Sequence, residues 1–368
     1  MQAILWAGFI AFVLVMMLID LFVVSRKGEA VPVRKALAWT GVCIVAALAF
    51  VPLLYLLYST HAMGIGSGDA TKPGVGGREA ASIFLQGWLL EYALSVDNLF
   101  VFAVIFQHFR VPAEHQHRVL GWGIIAALVL RGVMIGAGTV LLNLFHWLIP
   151  LAGVFLIYTG WGMARGQEDE FDAEHHWSAQ FVRKFWPLEP RFHGDRFFVT
   201  VPDRNDATRS MRAMTPLFLV LVVVNVVDVV FALDSIPAVF GISRNIDAFL
   251  VFTSNVFAIL GLRSLYFAIA ALMGKFDRLK YALAFILAFI GVKMILENGE
   301  AIAKAAHSVA ARVHADSFTW DGWSVHMPTW LSLVVIVVSL ACGVAASIFA
   351  GRTPGAPGRN AGGGDPGR

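Results

Sequence analysis

The chain has 368 residues, of which 58% are hydrophobic and only 14% are charged. Soluble domains carry about 25% charged residues, so a soluble protein of this length could not cover this much apolar surface. The composition therefore excludes most cytosolic enzymes, and a formal net charge of +3 is too small to predict a nucleic-acid partner. Cys43 and Cys342 lie in apolar runs and form neither a disulfide framework nor a zinc motif.

Nine apolar runs are long enough to cross a bilayer, since a spanning helix needs about 20 apolar residues. The first run lacks a basic leader and a cleavage site, so we interpret it as a helix and not as a signal peptide. The fold class is therefore an all-α polytopic membrane protein. The predicted helices, numbered 1 to 9, cover Ala3–Val24, Leu37–Tyr58, Ala81–Phe106, Val119–Leu142, His146–Met163, Pro216–Phe240, Ala248–Met273, Tyr281–Glu297 and Thr329–Ala350.

Lysine and arginine set the predicted orientation, because basic loops remain on the cytoplasmic side of a membrane. With the N-terminus outside, the inside loops and the tail hold 20 of the 28 basic residues, and the outside loops hold 5. The other three, Arg131, Arg263 and Lys293, lie within helices. This asymmetry predicts that the N-terminus is outside and the C-terminus inside.

Four regions follow along the chain. Residues 1–163 hold helices 1 to 5, 164–214 form a cytoplasmic loop, 215–350 hold helices 6 to 9, and 351–368 form a Gly- and Pro-rich tail typical of disorder. Within the loop, the segment RFFVTVPDRNDATR predicts two short strands joined by a turn. A loop of about fifty residues is too short for a catalytic core, but it could dock a cytoplasmic protein.

Two helices carry a matched pair of acids, although a charge at mid-helix costs about 2.5–3.5 kcal/mol on insertion scales. Helix 3 contains Glu91 and Asp97 in EYALSVDNLF, and helix 6 contains Asp228 and Asp234 in DVVFALDSIPAVF. Each pair is an acid, five residues, and then Asp followed by Asn or Ser. These carboxylates must face an interior cavity, a partner or a cation.

The similarity between these two regions continues beyond the acids. The next helices carry Arg131 and Arg263, and the third helices contain YTGWGM and FIGVKM. Helices 3–5 and 6–8 are therefore predicted to be two copies of one unit, and an odd number of helices inverts the second copy in the membrane. Inverted repeats are typical of secondary transporters, whose ion site lies at the midplane between the copies.

Oxygen-bearing side chains accompany the acids, and no His or Cys lies near the motifs. Such ligands suit Mg²⁺, Ca²⁺ or Mn²⁺. The acids of one pair point about 120° apart on a regular helix, so either the cavity is wide or the helix is broken, and Pro237 favours irregular backbone near it. The neutral candidate ligands are Ser95, Asn98, Asn225, Ser235 and Asn255.

Several segments of the sequence resemble the TerC family of integral membrane proteins, which is named for tellurium resistance and includes bacterial manganese exporters. The matching segments are EYALSVDNLFVFAVIF, VPAEHQHRVLGWGI, TPLFLVL, DVVFALDSIPAVFGIS, VFTSNVFAILGLRSLYF and FIGVKMI. The resemblance implies Mn²⁺ efflux across a bacterial inner membrane. It also implies five functional residues: Glu91, Asp97, Asn98, Asp228 and Asp234. The family usually has Glu at the position of Asn225, so the site here carries one negative charge fewer.

Structural roles remain possible for the same charges. The acids could pair with Arg131 and Arg263, Asp20 could meet Arg26 or touch the site, and Lys293 could either snorkel to the surface or pair with an acid. These readings compete with a functional one, which is the usual role of ionisable residues within membrane helices.

We therefore expect a transporter that exports a hard divalent cation, Mn²⁺ before others, in exchange for protons. The alternative is a non-transporting anchor for a metal-stress or tellurite-resistance complex, docked through residues 164–214. Apart from this possible cytoplasmic partner, the expected partners are the cation and the lipid bilayer. We expect no prosthetic group, no nucleic acid and no enzymatic activity, because no nucleophile–base pair or phosphate loop is present.

Overall fold

The computed structural model describes residues 2–24, 32–67, 74–145, 147–165, 180, 182–184, 186–202, 210–242, 247–270, 279–299, 302–303, 323, 325 and 327–350. The predicted tail 351–368 and loop residues 166–179 lie outside this part. The helices are α1 (Gln2–Val24), α2 (Val33–Ser59), α3 (Gly77–His108), α4 (Ala113–Leu144), α5 (Leu148–Arg165), α6 (Pro216–Phe240), α7 (Ala248–Ile259), α8 (Leu262–Ala270), α9 (Leu279–Glu297) and α10 (Thr329–Ala350). A short 3-10 turn (Ala62–Gly64) and two strands, β1 (Phe198–Pro202) and β2 (Ser210–Met214), complete it.

Nine spans in the described residues are long and apolar enough to cross a membrane, which confirms the predicted all-α polytopic class. The central spans are α3 and the α7–α8 pair, most of whose side chains are buried. By contrast, most side chains of α1, α2, α4, α5 and α10 are not buried within the protein. Outward-facing apolar residues along helices of this length suit an environment of lipid.

Two details of the helices differ from the sequence prediction. Helix 7 was predicted to run unbroken over 248–273, but α7 and α8 are separate helices that meet at Leu260 and Gly261. There the Cys43 thiol of α2 donates to the Leu260 carbonyl, with 3.6 Å between sulfur and oxygen. Conversely, α6 continues through Pro237 to Phe240. A proline so near the end of a helix removes only one of its last hydrogen bonds, so the irregularity predicted there is wrong.

The third helices of the two predicted copies, α5 and α9, touch backbone to backbone. A Cβ on Gly160 would lie 2.7 Å from the Ala284 carbonyl, and a Cβ on Gly291 would lie 2.5 Å from the Gly153 carbonyl. The alignment of YTGWGM with FIGVKM pairs Gly160 with Gly291 and therefore Gly153 with Ala284. The alignment therefore maps the contact between Gly160 and Ala284 onto the contact between Gly291 and Gly153. A two-fold axis between α5 and α9 would relate the two contacts in this way. The inverted repeat itself stays a prediction.

The segment before α6 closes one end of the bundle, which we call the hairpin end. β1 pairs with β2 in antiparallel register, with Phe198 opposite Met214. The Phe198 ring lies 4.5 Å from that of Phe218 in α6, and Asp195 Oδ1 lies 2.8 Å from His115 Nδ1 at the start of α4. β2 begins at Ser210; the predicted turn and second strand of RFFVTVPDRNDATR fall on residues 203–209, which lie outside the described residues.

Candidate intramembrane ion site

Arg131 in the middle of α4 joins the first acids of the two matched pairs. Its Nη1 forms an ion pair with Glu91 Oε1 of α3, and its Nη2 lies 3.1 Å from Asp228 Oδ1 of α6. Nη1 also donates to Asn255 Oδ1 of α7 over 3.1 Å. We call these four residues the Arg131 cluster. They are 1–6% exposed, so the cluster lies away from lipid.

Local sequence explains why these helices meet here. Gly87 lies one turn before Glu91, and a Cβ at that position would lie only 2.8 Å from Ser254 Oγ. The glycine therefore lets α7 approach α3 closely. The Asn255 amide donates from Nδ2 to the Val251 carbonyl over 3.2 Å, which leaves its Oδ1 to accept from Arg131.

The charges of the cluster do not balance. When ionised, Glu91 and Asp228 carry two negative charges, while Arg131 carries one positive charge. A buried charge without compensation costs several kcal/mol in real proteins. One further positive charge would neutralise the cluster, and either a proton or a bound cation can supply it.

Besides Gln86 Oε1, four buried oxygen atoms on α3 and α6 have no hydrogen-bond partner in the described part of the chain. An unsatisfied buried polar group costs about 1–3 kcal/mol, so each of these oxygens requires an explanation. Oxygens of this kind are the ligands that hard cations prefer. They are Glu91 Oε2, Ser95 Oγ, Asn225 Oδ1 and Ser235 Oγ.

Asp228 also borders a cavity between α3, α4, α6 and the α7–α8 junction, which we call the Asp228 cavity. Its other polar lining residues are Asn225 and Arg263. A water-sized sphere can occupy about 30 Å³ of it, and one water needs roughly 10–15 Å³. The cavity therefore has room for a small ion or about two waters. The rest of its lining is Leu99, Phe102, Leu120, Gly123, Ile124, Ala127, Val224, Ile259 and Leu262.

A second buried ion pair joins α1 to α8. Arg263 Nη1 lies 3.4 Å from Asp20 Oδ2, and the Ser264 hydroxyl donates to Asp20 Oδ1 over 3.5 Å. The sequence offered Arg26 as a partner for Asp20, but Arg26 lies outside the described residues. Sequence reasoning could not find the pair with Arg263, because 243 positions separate the two residues.

Lys293 belongs to a separate cluster. Its ammonium donates to the Ile242 carbonyl just beyond the end of α6 and lies 4.0 Å from Glu297 Oε1. Glu297 Oε1 in turn accepts from the Met327 backbone N–H over 3.1 Å. Of the two alternatives that the sequence left open, pairing with an acid is therefore confirmed, and Lys293 is 1% exposed.

The other predicted ligands are placed only in part. Asn98 is buried on α3, two turns after Glu91. Asp97 and Asp234 lie on α3 and α6, but their side chains lie outside the described part of the chain. Among the described side chains, no three His, Cys, Asp or Glu residues converge as metal ligands, so the metal site stays a prediction.

A protein-family model matches this chain. The description of that family is "Integral membrane protein TerC family", and its model covers residues 76–354 of this chain. The chain belongs to the TerC family. The matched range includes α3 to α10 and the Arg131 cluster, whereas α1 with Asp20 precedes it.

Several bacterial relatives support the assignment to the TerC family. The chain is 43% identical over 292 residues to "Uncharacterized membrane protein STKORF319" of Myxococcus xanthus, covering 79% of this chain and 83% of that protein. It is 38% identical over 294 residues to "Putative membrane-bound redox modulator Alx" of Escherichia coli K12, covering 79% and 85%. It is 34% identical over 344 residues to an "Uncharacterized membrane protein" of Rickettsia bellii, covering 94% and 97%. No solved structure matches the chain.

Proposed function

We propose that this TerC family protein exports a hard divalent metal cation, with Mn²⁺ as its first candidate substrate, across a bacterial inner membrane. The observation that carries the proposal is the Arg131 cluster. Two buried carboxylates from matched motifs, Glu91 and Asp228, converge there with an excess negative charge. Beside them, Asn225 presents an unsatisfied oxygen on a cavity with room for an ion.

In this proposal Asp97 and Asp234 hold the cation, with help from Glu91 and Asp228. Asn98 and Asn225 supply neutral oxygens. The Asn225 amide donates from Nδ2 to the Leu221 carbonyl over 2.7 Å, so its Oδ1 is the atom left for an ion. Carboxylate and amide oxygens suit Mn²⁺, Mg²⁺ or Ca²⁺.

Export needs an energy source. Moving a doubly charged ion outward against 100 mV, inside negative, costs about 4.6 kcal/mol, which is twice the value for one charge. The sequence contains no ATP-binding motif, so we propose exchange for protons. Intramembrane carboxylates can carry either a proton or a share of a cation, which makes them suitable for both halves of such a cycle.

The test is metal flux into proteoliposomes with Mn²⁺, Mg²⁺, Ca²⁺ and Zn²⁺ in parallel, with and without an imposed pH gradient. We expect flux of a hard cation that responds to the gradient and is lost in Asp97→Asn and Asp234→Asn. Glu114→Gln, which removes a carboxylate at the hairpin end, is the matched control and should transport normally. No flux of any of the four ions would overturn the proposal, and flux indifferent to pH would overturn proton exchange.

A second candidate role follows from the name of the Escherichia coli relative, a membrane-bound redox modulator. In this second role the protein would be a membrane anchor that docks a cytoplasmic partner through residues 164–214. Replacing residues 166–179 with a Gly/Ser linker would spare Trp186–Met214, much of which packs on the helices. If this replacement abolishes function in cells while Asp97→Asn does not, the anchor is favoured over the transporter.

A further inference from the structure

We propose that Arg131 is a resident counter-cation of the transport site, which a divalent ion must displace and a monovalent ion cannot. The inference rests on the proposed function and adds a residue that determines its selectivity.

The geometry of the guanidinium is the first support. Nη1 contacts Glu91 and Nη2 contacts Asp228, so the two ends of the fork serve carboxylates from different helices. Arginine in a simple structural ion pair commonly places both nitrogens on one carboxylate. Arg131 instead occupies the position between Glu91 and Asp228 that a shared metal ion would take.

Charge is the second support. With Arg131 in place, Glu91 and Asp228 keep one negative charge, whereas a divalent ion in its place would neutralise both. Coulomb attraction to the carboxylates doubles when the charge of the bound cation doubles, so a divalent ion can compete with the guanidinium. Na⁺ or K⁺ carries the same charge as Arg131, so its attraction to the two carboxylates is no stronger than that of the resident guanidinium.

The surroundings allow the displaced guanidinium to stay nearby. Asn255 Oδ1 accepts from Nη1 and can keep this bond when the carboxylates take a metal ion. Competition with Arg131 also weakens cation binding, and a transport site must be weak enough for the ion to leave. The same residue thus excludes monovalent ions and assists release.

The test is equilibrium Mn²⁺ binding to the purified full-length protein, followed by the electron paramagnetic resonance signal of free Mn²⁺. Each protein is measured in choline chloride and again in NaCl at the same ionic strength. For the wild type we expect binding that is indifferent to Na⁺. For Arg131→Gln we expect affinity at least about tenfold tighter in choline, because both carboxylates lose their resident charge, and weakened by Na⁺.

Lys293→Gln is the matched control, because it removes another buried cation whose acid partner, Glu297, lies outside the Arg131 cluster. It should bind Mn²⁺ as the wild type does in both salts. Folded Arg131→Gln with unchanged or weaker affinity, or without Na⁺ sensitivity, would overturn the inference. If Arg131→Gln does not fold, Arg131→Lys decides. Its single nitrogen lacks the fork that serves the two acids at once and holds them less firmly, so affinity should still rise severalfold, and an unchanged affinity contradicts the inference.

The same measurements separate this inference from the proposed function. A wild type that binds none of Mn²⁺, Mg²⁺ or Ca²⁺ overturns both. Suppose instead that the wild type binds and transports Mn²⁺ and that the Arg131 variants keep its affinity and selectivity. This result would support the transporter and overturn only the role of Arg131.

Discussion

At the residue scale, the Arg131 cluster makes the effect of losing an acid depend on how many acids are lost. Removing one partner of a buried ion pair usually destabilises a protein by about 3–5 kcal/mol, because the other charge remains uncompensated. Here Arg131 has two acidic partners, Glu91 and Asp228. Loss of either acid leaves a balanced pair, and only loss of both leaves a buried arginine alone.

We therefore expect Glu91→Gln and Asp228→Asn each to fold with little loss of stability and to lose transport. The double variant should lose far more stability than the two single effects added together, by about 3–5 kcal/mol, and such non-additivity is typical of groups in contact. Thermal unfolding of the four proteins in one detergent measures it. Additive effects would show that the three side chains do not act as a cluster.

Asn225 offers the converse change, an added charge. Its Oδ1 is unsatisfied and its side chain lines the Asp228 cavity, opposite Gly123, which leaves space there. Asn225→Glu should tighten Mn²⁺ binding about tenfold, since each added carboxylate increases the Coulomb attraction, and should slow release. Asn225→Gln has the same length without the charge and is the control. Equal Mn²⁺ affinities of the two variants would place residue 225 outside the ion's reach.

At the element scale, the close contact of α5 and α9 predicts a sharp difference between two glycines of one helix. A Cβ on Gly160 would meet the Ala284 carbonyl at 2.7 Å, whereas a Cβ on Gly162 would meet nothing within 4 Å. Gly160→Ala should therefore lower stability by about 1–3 kcal/mol, the usual cost of overpacking. Gly162→Ala should be neutral or slightly stabilising. Comparable melting temperatures for both variants would mean that α5 and α9 separate easily.

The sequence predicted the spans well, because a membrane helix satisfies its own backbone and needs only a long apolar run. It also predicted that Glu91 and Asp228 belong together, because their motifs repeat. It did not predict the break at Leu260–Gly261, since hydropathy is continuous across it. Nor did it show which acid meets which arginine. That choice depends on helix rotation and tertiary packing, which no local pattern records.

At the scale of the whole molecule, the 20-to-5 bias of basic residues predicts which end faces the cytoplasm. Cysteine placed at Glu114, at the hairpin end, should react with a membrane-impermeant maleimide only after cells are opened. Cysteine at Met63, in the 3-10 turn between α2 and α3, should react in intact cells. The background lacks Cys43 and Cys342. The reverse labelling pattern would place the N-terminus inside.

The matched acid and arginine have different partners in the two predicted copies. In the first copy Arg131 is paired with Glu91, whereas the matched residues of the second copy, Arg263 and Asp228, both line the cavity. Arg263 pairs instead with Asp20 of α1, a helix that precedes the range matched by the family model. Asp20 thus adds an asymmetry that the repeat alone would not have.

The break at Leu260–Gly261 places the contacts of the two arginines on separate helices. Asn255, which contacts Arg131, lies on α7, and Arg263 lies in the first turn of α8. The nine residues of α8 form a lever roughly 14 Å long, at 1.5 Å per residue. A change of backbone angle at Gly261 would move α8 and the Arg263 guanidinium at the cavity wall, and it would not require Asn255 on α7 to leave Arg131.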